Sequence, residues 1–218
     1  MRNLRILIAD DHDLMRRGLK AVVEGHPGWS VVAEAISGHE AVAKASELRP
    51  DVVIMDVCMP ILNGIEATRQ IRRASPQTEV LILSLHHSDQ LIRDVLEAGA
   101  RGFLVKADPD SDVVTAVKCL AERKPYFTSC ATEILLNARL GSISTEGDTA
   151  MPGERLTPRE REVVQLLAEG KTSKEVATTL DISTKTAETH RSNIMRKLEF
   201  HSVSEIVRYA VRNEMIEP

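Results

Sequence analysis

Four short runs of apolar residues in this chain each end at a polar side chain. They cover residues 5–9, 52–55, 80–83 and 102–105, and are followed by Asp10 with Asp11, by Asp56, by Ser84 and by Lys106. Runs this short and this continuously apolar are typical of parallel strands buried on both faces. In an open parallel sheet, ligands bind in the crevice beyond the carboxyl ends of the strands. The pattern therefore predicts that three carboxylates, a hydroxyl and an amine converge at one edge of a sheet.

Helical patterns separate these strands. Apolar residues recur at helical spacing over 14–23, and further helices are predicted at 39–48, 65–73 and 90–97, the last closed by Gly99 in a left-handed conformation. Another strand is expected at 29–34. Asp108 and Pro109 have the N-cap and first-turn pattern of a helix that reaches about residue 123. The alternation predicts an α/β domain over residues 1–124, built on a doubly wound five-stranded parallel sheet.

The rest of the chain has a different pattern. Residues 125–153 are predicted to hold a helix, at about 129–140, and then a flexible linker rich in Gly, Ser and Thr at 141–153. Residues 154–218 are predicted to be all helical, in a second, smaller domain. Capping boxes begin at Thr157 and Thr172, Gly170 ends the helix between them, Ser183 caps a helix to about residue 198, and a last helix covers 203–212.

Composition narrows the class of protein. The formal net charge is −4, and it divides into 16 basic against 18 acidic residues over 1–124 and 11 against 11 over 154–218. No apolar stretch approaches the roughly 18–20 residues of a membrane span, and the N-terminus runs into a strand pattern without the features of a signal peptide. Three cysteines at irregular spacing argue against a disulfide framework. We therefore expect a cytoplasmic protein with no membrane partner.

The side chains at the strand ends suit phosphoryl transfer. Mg²⁺ prefers oxygen ligands, and it commonly takes one or two carboxylates while water and phosphate oxygens fill its other positions. Asp10 and Asp11, opposite Asp56, can supply that charge. Asp56 ends the central strand and is the best candidate nucleophile, while Lys106 can offset charge on the transferring oxygens and Ser84 can hydrogen-bond them. A lone Asp at a strand end is often only a helix cap, but five such residues at one edge are hard to explain in that way.

The second domain contains helix-turn-helix spacing, with a short helix at 172–180, a turn at 181–182 and a longer helix at 183–198. On the longer helix, Ala187, Ile194 and Leu198 share one face, and the opposite stripe is polar. Residues near the start of such a helix can reach base edges in the major groove, and the candidates are Lys185, Glu188, Thr189 and Ser192. Phosphate contacts are predicted for Lys174, Lys185, Arg191, Arg196 and Lys197. An amphipathic helix of mixed charge, taken alone, is more often an ordinary surface helix.

The first domain resembles the receiver domain of bacterial two-component response regulators, which is flavodoxin-like in fold. The resemblance rests on Asp10 and Asp11, on the 55–60 segment MDVCMP with Gly64, on Ser84, and on the 102–106 segment GFLVK. It implies that Asp56 accepts phosphate from a sensor histidine kinase, and that Asp11, Asp56 and the Cys58 carbonyl bind Mg²⁺ directly while Asp10 acts largely through water. It also implies that Lys106 pairs with the phosphoryl group and that Ser84 and Phe103 form a switch pair.

Some positions around this site depart from the commonest pattern or have no assigned role. Leu85 stands where a small residue often follows the switch hydroxyl, and we expect it to crowd the movement of Ser84. His86 and His87 are expected to be solvated loop residues, with control of water access by His86 as the functional alternative. His12 and Asp13 are expected to form the exposed start of the first helix.

The second domain carries the segments LTPREREV at 156–163, GK at 170–171, EVA at 175–177, KTAETH at 185–190 and IMRKL at 194–198. With these segments it resembles the LuxR-type helix-turn-helix over nearly all of residues 154–218, with Ala187 where Val is usual. Together the two resemblances make the whole chain similar to the NarL/FixJ family of response regulators. They imply a four-helix output domain whose last helix mediates dimerisation on double-stranded DNA, with phosphorylation of Asp56 controlling that step. Two alternatives stay open: a phosphorylation-independent DNA-binding regulator that uses the receiver as a dimerisation platform, and a Mg²⁺-dependent phosphohydrolase. We expect a regulator rather than an enzyme.

Overall fold

The structure, a computed structural model, describes residues 3–85, 88–106, 112–128, 132, 156–213, 215 and 216. The chain divides into two compact units, Met1–Arg139 and Leu140–Pro218. The predicted helix and linker at 129–153, together with Asp108, Pro109, His86 and His87, lie outside the described residues, apart from Thr132.

The first unit alternates strands and helices, as the sequence predicts. Its elements are β1 (Leu4–Ala9), α1 (Asp13–Glu24), β2 (Trp29–Ala35), α2 (Gly38–Leu48), β3 (Val52–Asp56), α3 (Gly64–Ala74), β4 (Glu79–Ser84), α4 (Asp89–Glu97), β5 (Gly102–Val105), α5 (Val113–Ala121) and β6 (Tyr126–Phe127). The strands form one parallel sheet in the order β2-β1-β3-β4-β5-β6. β1 and β3, which carry the predicted carboxylates at their ends, are therefore neighbours.

The sheet has six strands, so the prediction of five was wrong. β6 pairs with β5 through Tyr126 opposite Gly102 and Phe127 opposite Phe103, and the Tyr126 N–H donates to the Arg101 carbonyl at 2.9 Å. Two residues after a proline are too short a run to show an alternating pattern. This strand lies beyond residue 124, where the sequence predicted the start of the linking segment.

Each central strand is buried on both faces, which explains why its sequence is continuously apolar. One face packs into a cluster that includes Ile6, Ile8, Val52, Ile54, Leu81 and Leu83, with Val23 of α1 and Val117 of α5. The other face packs into a cluster that includes Leu7, Val53, Met55, Val80 and Ile82, with Ala41 of α2, Ile71 of α3 and Ile92 of α4. Side chains alternate between these two clusters, as a strand requires.

The last helix of the first unit begins later than the sequence predicts. α5 starts at Val113 with Asp112 as its N-cap, whose side chain accepts a hydrogen bond from the Thr115 N–H at 2.9 Å, and it ends at Ala121. Asp108 was the predicted cap, with the helix reaching about residue 123. Both aspartates are good N-caps, so composition alone did not distinguish them.

The loop between β3 and α3 holds a strained residue, Ile61, which has a φ of +72°. A β-branched side chain in this left-handed region costs on the order of 1–2 kcal/mol. We expect Ile61→Gly to raise the free energy of unfolding by about 1 kcal/mol, measured by urea denaturation. Ile36→Gly is the control at an exposed loop isoleucine without a positive φ. It should lower stability by a few tenths of a kcal/mol to about 1 kcal/mol, and the same change in both variants would contradict the strain.

The second unit contains four helices within its described residues, α6 (Pro158–Ala168), α7 (Ser173–Thr179), α8 (Thr184–Lys197) and α9 (Val203–Arg212). The predicted capping boxes are present at Thr157 with Glu160 and at Thr172 with Glu175, and Ser183 caps α8. Its buried residues include Val163, Val164, Leu166, Val176, Ala187, Ile194 and Ile206. α7, the turn and α8 therefore form the predicted helix-turn-helix. None of the helices traced in either unit has the length and apolar character needed to cross a membrane.

Candidate functional site

The carboxyl ends of β1, β3 and β5 bring two carboxylates onto one amine. The Lys106 Nζ lies 2.7 Å from Asp56 Oδ1 and 2.9 Å from Asp10 Oδ2. Asp10 is fully buried, Asp56 is only 3% exposed, and the Lys106 side chain is 7% exposed. Residues that lie 46 and 50 positions apart along the chain therefore meet in a site nearly closed to solvent.

Asp11 and His12 complete the cluster on its solvent side. The ligand atoms that Asp10, Asp11, His12 and Asp56 can offer all lie within 4.8 Å of one another. The His12 N–H donates to Asp10 Oδ1 at 2.8 Å, which fixes one carboxylate at the start of α1. Three carboxylates this close form an oxygen-rich site suited to a hard divalent cation.

Burial raises the pKa of the Asp56 carboxyl from 3.8 to about 6. Lys106 opposes this rise by attraction and hydrogen bonding, while the charges of Asp10 and Asp11 add to it. Burial alone would lower the pKa of the Lys106 amine, but the charges of Asp56 and Asp10 outweigh burial and raise it. Lys106 is therefore held as a cation, and Asp56 carries a charge that a further cation would stabilise.

We expect the free energy of unfolding of the wild type to fall relative to that of Asp56→Asn as the pH rises from about 4 to about 6, with both proteins in EDTA. In this window the folded state holds the Asp56 proton more tightly than the unfolded chain does, because its pKa is about 6 rather than 3.8. Stability falls with rising pH wherever the folded state binds more protons, and this difference corresponds to roughly 3 kcal/mol at most. Urea unfolding of both proteins at several pH values measures it. A difference that stays constant with pH would contradict the raised pKa.

The predicted switch residues lie on the two strands beyond β3. Ser84 ends β4 and is 4% exposed, and its carbonyl accepts a hydrogen bond from the Lys106 N–H at 2.7 Å. Phe103 lies in β5 and is fully buried in the same apolar cluster as Met55. Leu85, which we expected to crowd Ser84, is about half exposed, so much of its side chain faces solvent.

Gly64 explains how the loop after β3 passes so close to Asp56. A Cβ atom added at Gly64 would lie 1.9 Å from the Asp56 carbonyl oxygen and 2.9 Å from its carbonyl carbon. The Gly64 N–H also donates to the Val57 carbonyl at 2.8 Å. Only a residue without a side chain permits this approach, so Gly64 sets the position of the backbone that carries Asp56.

α8 presents a polar surface suited to DNA. Ala187 and Ile194 are buried against the rest of the unit. The predicted base-contacting side chains are all exposed, namely Lys185, Glu188, Thr189 and Ser192. Among the predicted phosphate contacts, Lys174 and Arg196 are also exposed and Arg191 is partly buried. One face of the helix packs and the other is free, which is the arrangement that insertion into a major groove requires.

Comparisons with known proteins agree with both halves of this description. Residues 6–118 match the family described as "Response regulator receiver domain", and residues 154–210 match "Bacterial regulatory proteins, luxR family". The chain is 37% identical to the transcriptional regulatory protein LiaR of Bacillus subtilis over 214 residues, which cover 98% of this chain and 99% of LiaR. The chain is a NarL/FixJ-family response regulator.

Other response regulators are similar over the whole length. The oxygen regulatory protein NreC of Staphylococcus epidermidis is 34% identical over 98% of this chain and 100% of NreC. Among solved structures, RcsB from Salmonella enterica serovar Typhimurium, bound to promoter rprA in the presence of phosphomimetic BeF3−, is 25% identical. The match covers 95% of this chain and 98% of the RcsB chain, with a TM-score of 0.62. This protein is thus a two-component response regulator with a LuxR-type DNA-binding domain.

In this response regulator, Lys197 has a structural contact that its predicted role in DNA binding does not include. Its Nζ lies 2.7 Å from Glu160 Oε2, and Glu160 is 4% exposed. Burial alone would raise the pKa of the Glu160 carboxyl, but hydrogen bonds from Lys197 and from Thr157 outweigh burial and hold that pKa below 4.5. Lys197 thereby joins α8 to the capping box of α6, and its contact with phosphate stays a prediction.

We expect Lys197→Met to lower the free energy of unfolding of the response regulator by about 2 kcal/mol at pH 7, because it leaves a buried carboxylate without its cation. The loss should shrink as the pH falls, because the buried Glu160 carboxyl takes up a proton more readily in the folded variant than in the wild type, where Lys197 helps to hold its pKa below 4.5. Arg196→Met is the matched control, since Arg196 is exposed and the side-chain hydrogen bond that it makes within the described residues, to Asn193 Oδ1, is long at 3.4 Å. Equal losses in the two variants, measured by urea unfolding, would contradict the structural role.

Sequence reasoning missed one residue of the receiver site. His12 was expected at the exposed start of the first helix, and it is the N-cap of α1 with a side chain that is 54% exposed. Yet its Nδ1 lies 3.0 Å from Asp11 Oδ1 and 3.4 Å from Asp10 Oδ1. The only available signal was its position next to the acidic pair in the sequence.

Proposed function

We propose that Asp56 accepts a phosphoryl group from a sensor histidine kinase, and that this modification controls dimerisation and sequence-specific DNA binding to regulate transcription. The observation that carries the proposal is the meeting of Asp10, Asp56 and Lys106 at the carboxyl ends of three strands. A location in the cytoplasm, where kinase and chromosome are both within reach, is part of the proposal.

The proposed cofactor is Mg²⁺, held by Asp11, Asp56 and the Cys58 backbone carbonyl, with Asp10 acting largely through water. The donor set fits such an ion because three carboxylates approach within 4.8 Å and Lys106 brings only one positive charge to them. When bound, the ion would offset negative charge on the transferring oxygens. Cys58 is partly buried, and the proposal assigns no role to its thiol.

In the proposed transfer, a carboxylate oxygen of Asp56 forms a bond to phosphorus as the bond from phosphorus to the kinase histidine nitrogen breaks. The electron pair of the broken bond remains on the imidazole nitrogen, which takes up a proton from solvent. Lys106 is in position to pair with the phosphoryl oxygens, because its Nζ already lies 2.7 Å from Asp56 Oδ1. The low exposure of Asp56 and Lys106 strengthens that attraction.

Coupling to DNA binding would begin at Ser84 and Phe103. The Ser84 hydroxyl, at the end of the neighbouring strand, would move toward the phosphoryl oxygens. The Phe103 ring, which was predicted to turn inward on phosphorylation, is already fully buried in this structure, so phosphorylation would hold the ring in that position. Leu85, which was expected to crowd the movement of Ser84, is about half exposed. We propose that the phosphorylated form dimerises, so that two copies of the DNA-binding unit occupy two half-sites and gain affinity through effective concentration.

The proposed contacts to double-stranded DNA divide into two groups. The exposed side chains Lys185, Glu188, Thr189 and Ser192 of α8 would reach base edges, with Glu188 able to accept a hydrogen bond from cytosine N4. Phosphate contacts are proposed for Lys174, Lys185, Arg191, Arg196 and Lys197, the last of which would have to share its amine with Glu160. RcsB, bound to promoter DNA in its solved structure, supports the choice of double-stranded DNA as the partner.

Chemical mapping of the modified residue tests the acceptor. The full-length protein is incubated with acetyl phosphate and Mg²⁺, the acyl phosphate is reduced with borohydride, and mass spectrometry locates the reduced residue. We expect the label at Asp56. A label at Asp10 or Asp11 would overturn the assignment of the acceptor, and steady release of phosphate from small esters without any labelled protein would favour the phosphohydrolase alternative.

A further inference from the structure

His12 stands at the start of α1, where a residue is expected to stabilise the helix through its side chain. It is the N-cap of α1, yet its side chain makes no capping hydrogen bond. Ser, Thr, Asp and Asn are the residues that stabilise this position, and the other helices of the first unit are capped by Ser37, Asn63, Ser88 and Asp112. Helix stability therefore does not explain why an imidazole stands here.

The imidazole instead faces the acidic cluster. Its Nδ1 lies 3.0 Å from Asp11 Oδ1 and 3.4 Å from Asp10 Oδ1, and it belongs to the group of possible ligand atoms that lie within 4.8 Å of one another. Two ligands at right angles around an octahedral ion, each about 2.1 Å from it, are about 3.0 Å apart. The separation between the nitrogen and the Asp11 oxygen therefore fits both a hydrogen bond from the ring to the carboxylate and the edge of a metal coordination shell.

We propose that His12 is a nitrogen ligand of the receiver's cation site and gives that site a preference for first-row transition metal ions over Mg²⁺. The inference rests on the proposed function, because it assumes the cation site of Asp10, Asp11 and Asp56. Mg²⁺ is a hard ion that favours oxygen ligands, whereas imidazole suits ions such as Ni²⁺ and Zn²⁺, and affinity rises from Mn²⁺ to Ni²⁺ along the first row.

The consequence is a site whose occupant depends on the available metal. Three carboxylates alone already bind Ni²⁺ more tightly than Mn²⁺, and one carboxylate more or less would change the affinity for all of the ions in the same direction. A nitrogen ligand changes the ranking itself, because it contributes to transition metals and little to Mg²⁺. The metal ranking is therefore the property that separates a ligand from a histidine that merely pairs with Asp11.

Metal titrations of the tag-free, full-length protein test the inference. Binding of Mg²⁺, Mn²⁺ and Ni²⁺ is measured by calorimetry for the wild type, His12→Ala and the control His26→Ala, whose ring stacks on Trp29. We expect His12→Ala to lose about tenfold or more in Ni²⁺ affinity and less than about twofold in Mg²⁺ affinity. Pulsed electron paramagnetic resonance of bound Mn²⁺ should show an imidazole nitrogen coupling in the wild type and His26→Ala that His12→Ala lacks.

Other results would overturn either the inference about His12 or the proposed cation site, and the two cases can be told apart. Equal changes for all three ions in His12→Ala would show that the ring acts only by charge or packing, and would overturn the inference while leaving the cation site intact. An unchanged Ni²⁺ affinity, or a nitrogen coupling that persists in His12→Ala, would also overturn it. If the wild type binds none of the ions, or if Asp11→Asn with Asp56→Asn binds them as the wild type does, the proposed cation site itself fails.

Discussion

Asp56→Asn is expected to reduce phosphoryl incorporation from acetyl phosphate by at least about two orders of magnitude, because no other group can replace the atom that forms the new bond. Asp56→Asn keeps the size of the side chain. The variant should fold, since it replaces a carboxyl whose pKa burial raises to about 6. Separation of phosphorylated and unphosphorylated protein on a phosphate-binding gel measures the effect.

Asp51→Asn is the matched control for this prediction. Asp51 immediately precedes β3, at the end of the strand opposite to Asp56, where its Oδ2 accepts a hydrogen bond from the Arg5 N–H at 2.9 Å. It should be phosphorylated at the wild-type rate, even if its stability changes. Incorporation into Asp56→Asn at a rate comparable to that of Asp51→Asn would place the acceptor elsewhere. Full regulatory activity of Asp56→Asn in cells would favour a regulator that works without phosphorylation.

The second large effect is expected at Gly64, where Gly64→Ala should lower the free energy of unfolding by about 3 kcal/mol or more. The added methyl would lie 1.9 Å from the Asp56 carbonyl oxygen and 3.0 Å from the Met55 Cγ. Relief requires the backbone of β3 or the start of α3 to move, because the nearest atoms belong to the main chain. Phosphoryl incorporation should fall with stability, since the same movement displaces Asp56 from Lys106.

Gly18→Ala provides the comparison for Gly64→Ala. Gly18 lies within α1, and a Cβ added there meets no heavy atom within 4 Å. Alanine is the better helix former, so this variant should gain about 0.5–1 kcal/mol. Urea unfolding of the two variants beside the wild type gives both values. A Gly64→Ala protein within about 0.5 kcal/mol of the wild type would contradict the close approach beneath Asp56.

The sequence predicts the strands and the convergence of their ends because a strand buried on both faces is a short, continuously apolar run. Runs that end at Asp10, Asp56 and Lys106 had to meet once the sheet was parallel, and they do. β6 could not be predicted in this way, since a strand of two residues is too short to show a pattern of apolar positions. The start of α5 was misplaced because Asp108 and Asp112 cap a helix equally well.

Contacts between side chains on different elements were the part that sequence reasoning could not supply. Lys197 looks like any exposed cation of α8 until the fold places its amine beside the buried carboxylate of Glu160. In the sequence, His12 is simply the residue before the first helix. In the fold it is the N-cap of α1, and its ring lies 3.0 Å from the Asp11 carboxylate. Both depend on distances through space that a pattern of polar and apolar positions does not encode.

The most direct test of the central claim is the affinity of the full-length protein for DNA before and after phosphorylation of Asp56, with the DNA selected from a random pool. A coupling of 1–3 kcal/mol is typical of such switches, so the phosphorylated protein should bind its selected sequence roughly 5–150 times more tightly. Equal affinities, in a sample shown by mass spectrometry to carry the phosphoryl group on Asp56, would contradict the claim that the DNA-binding helices respond to that group.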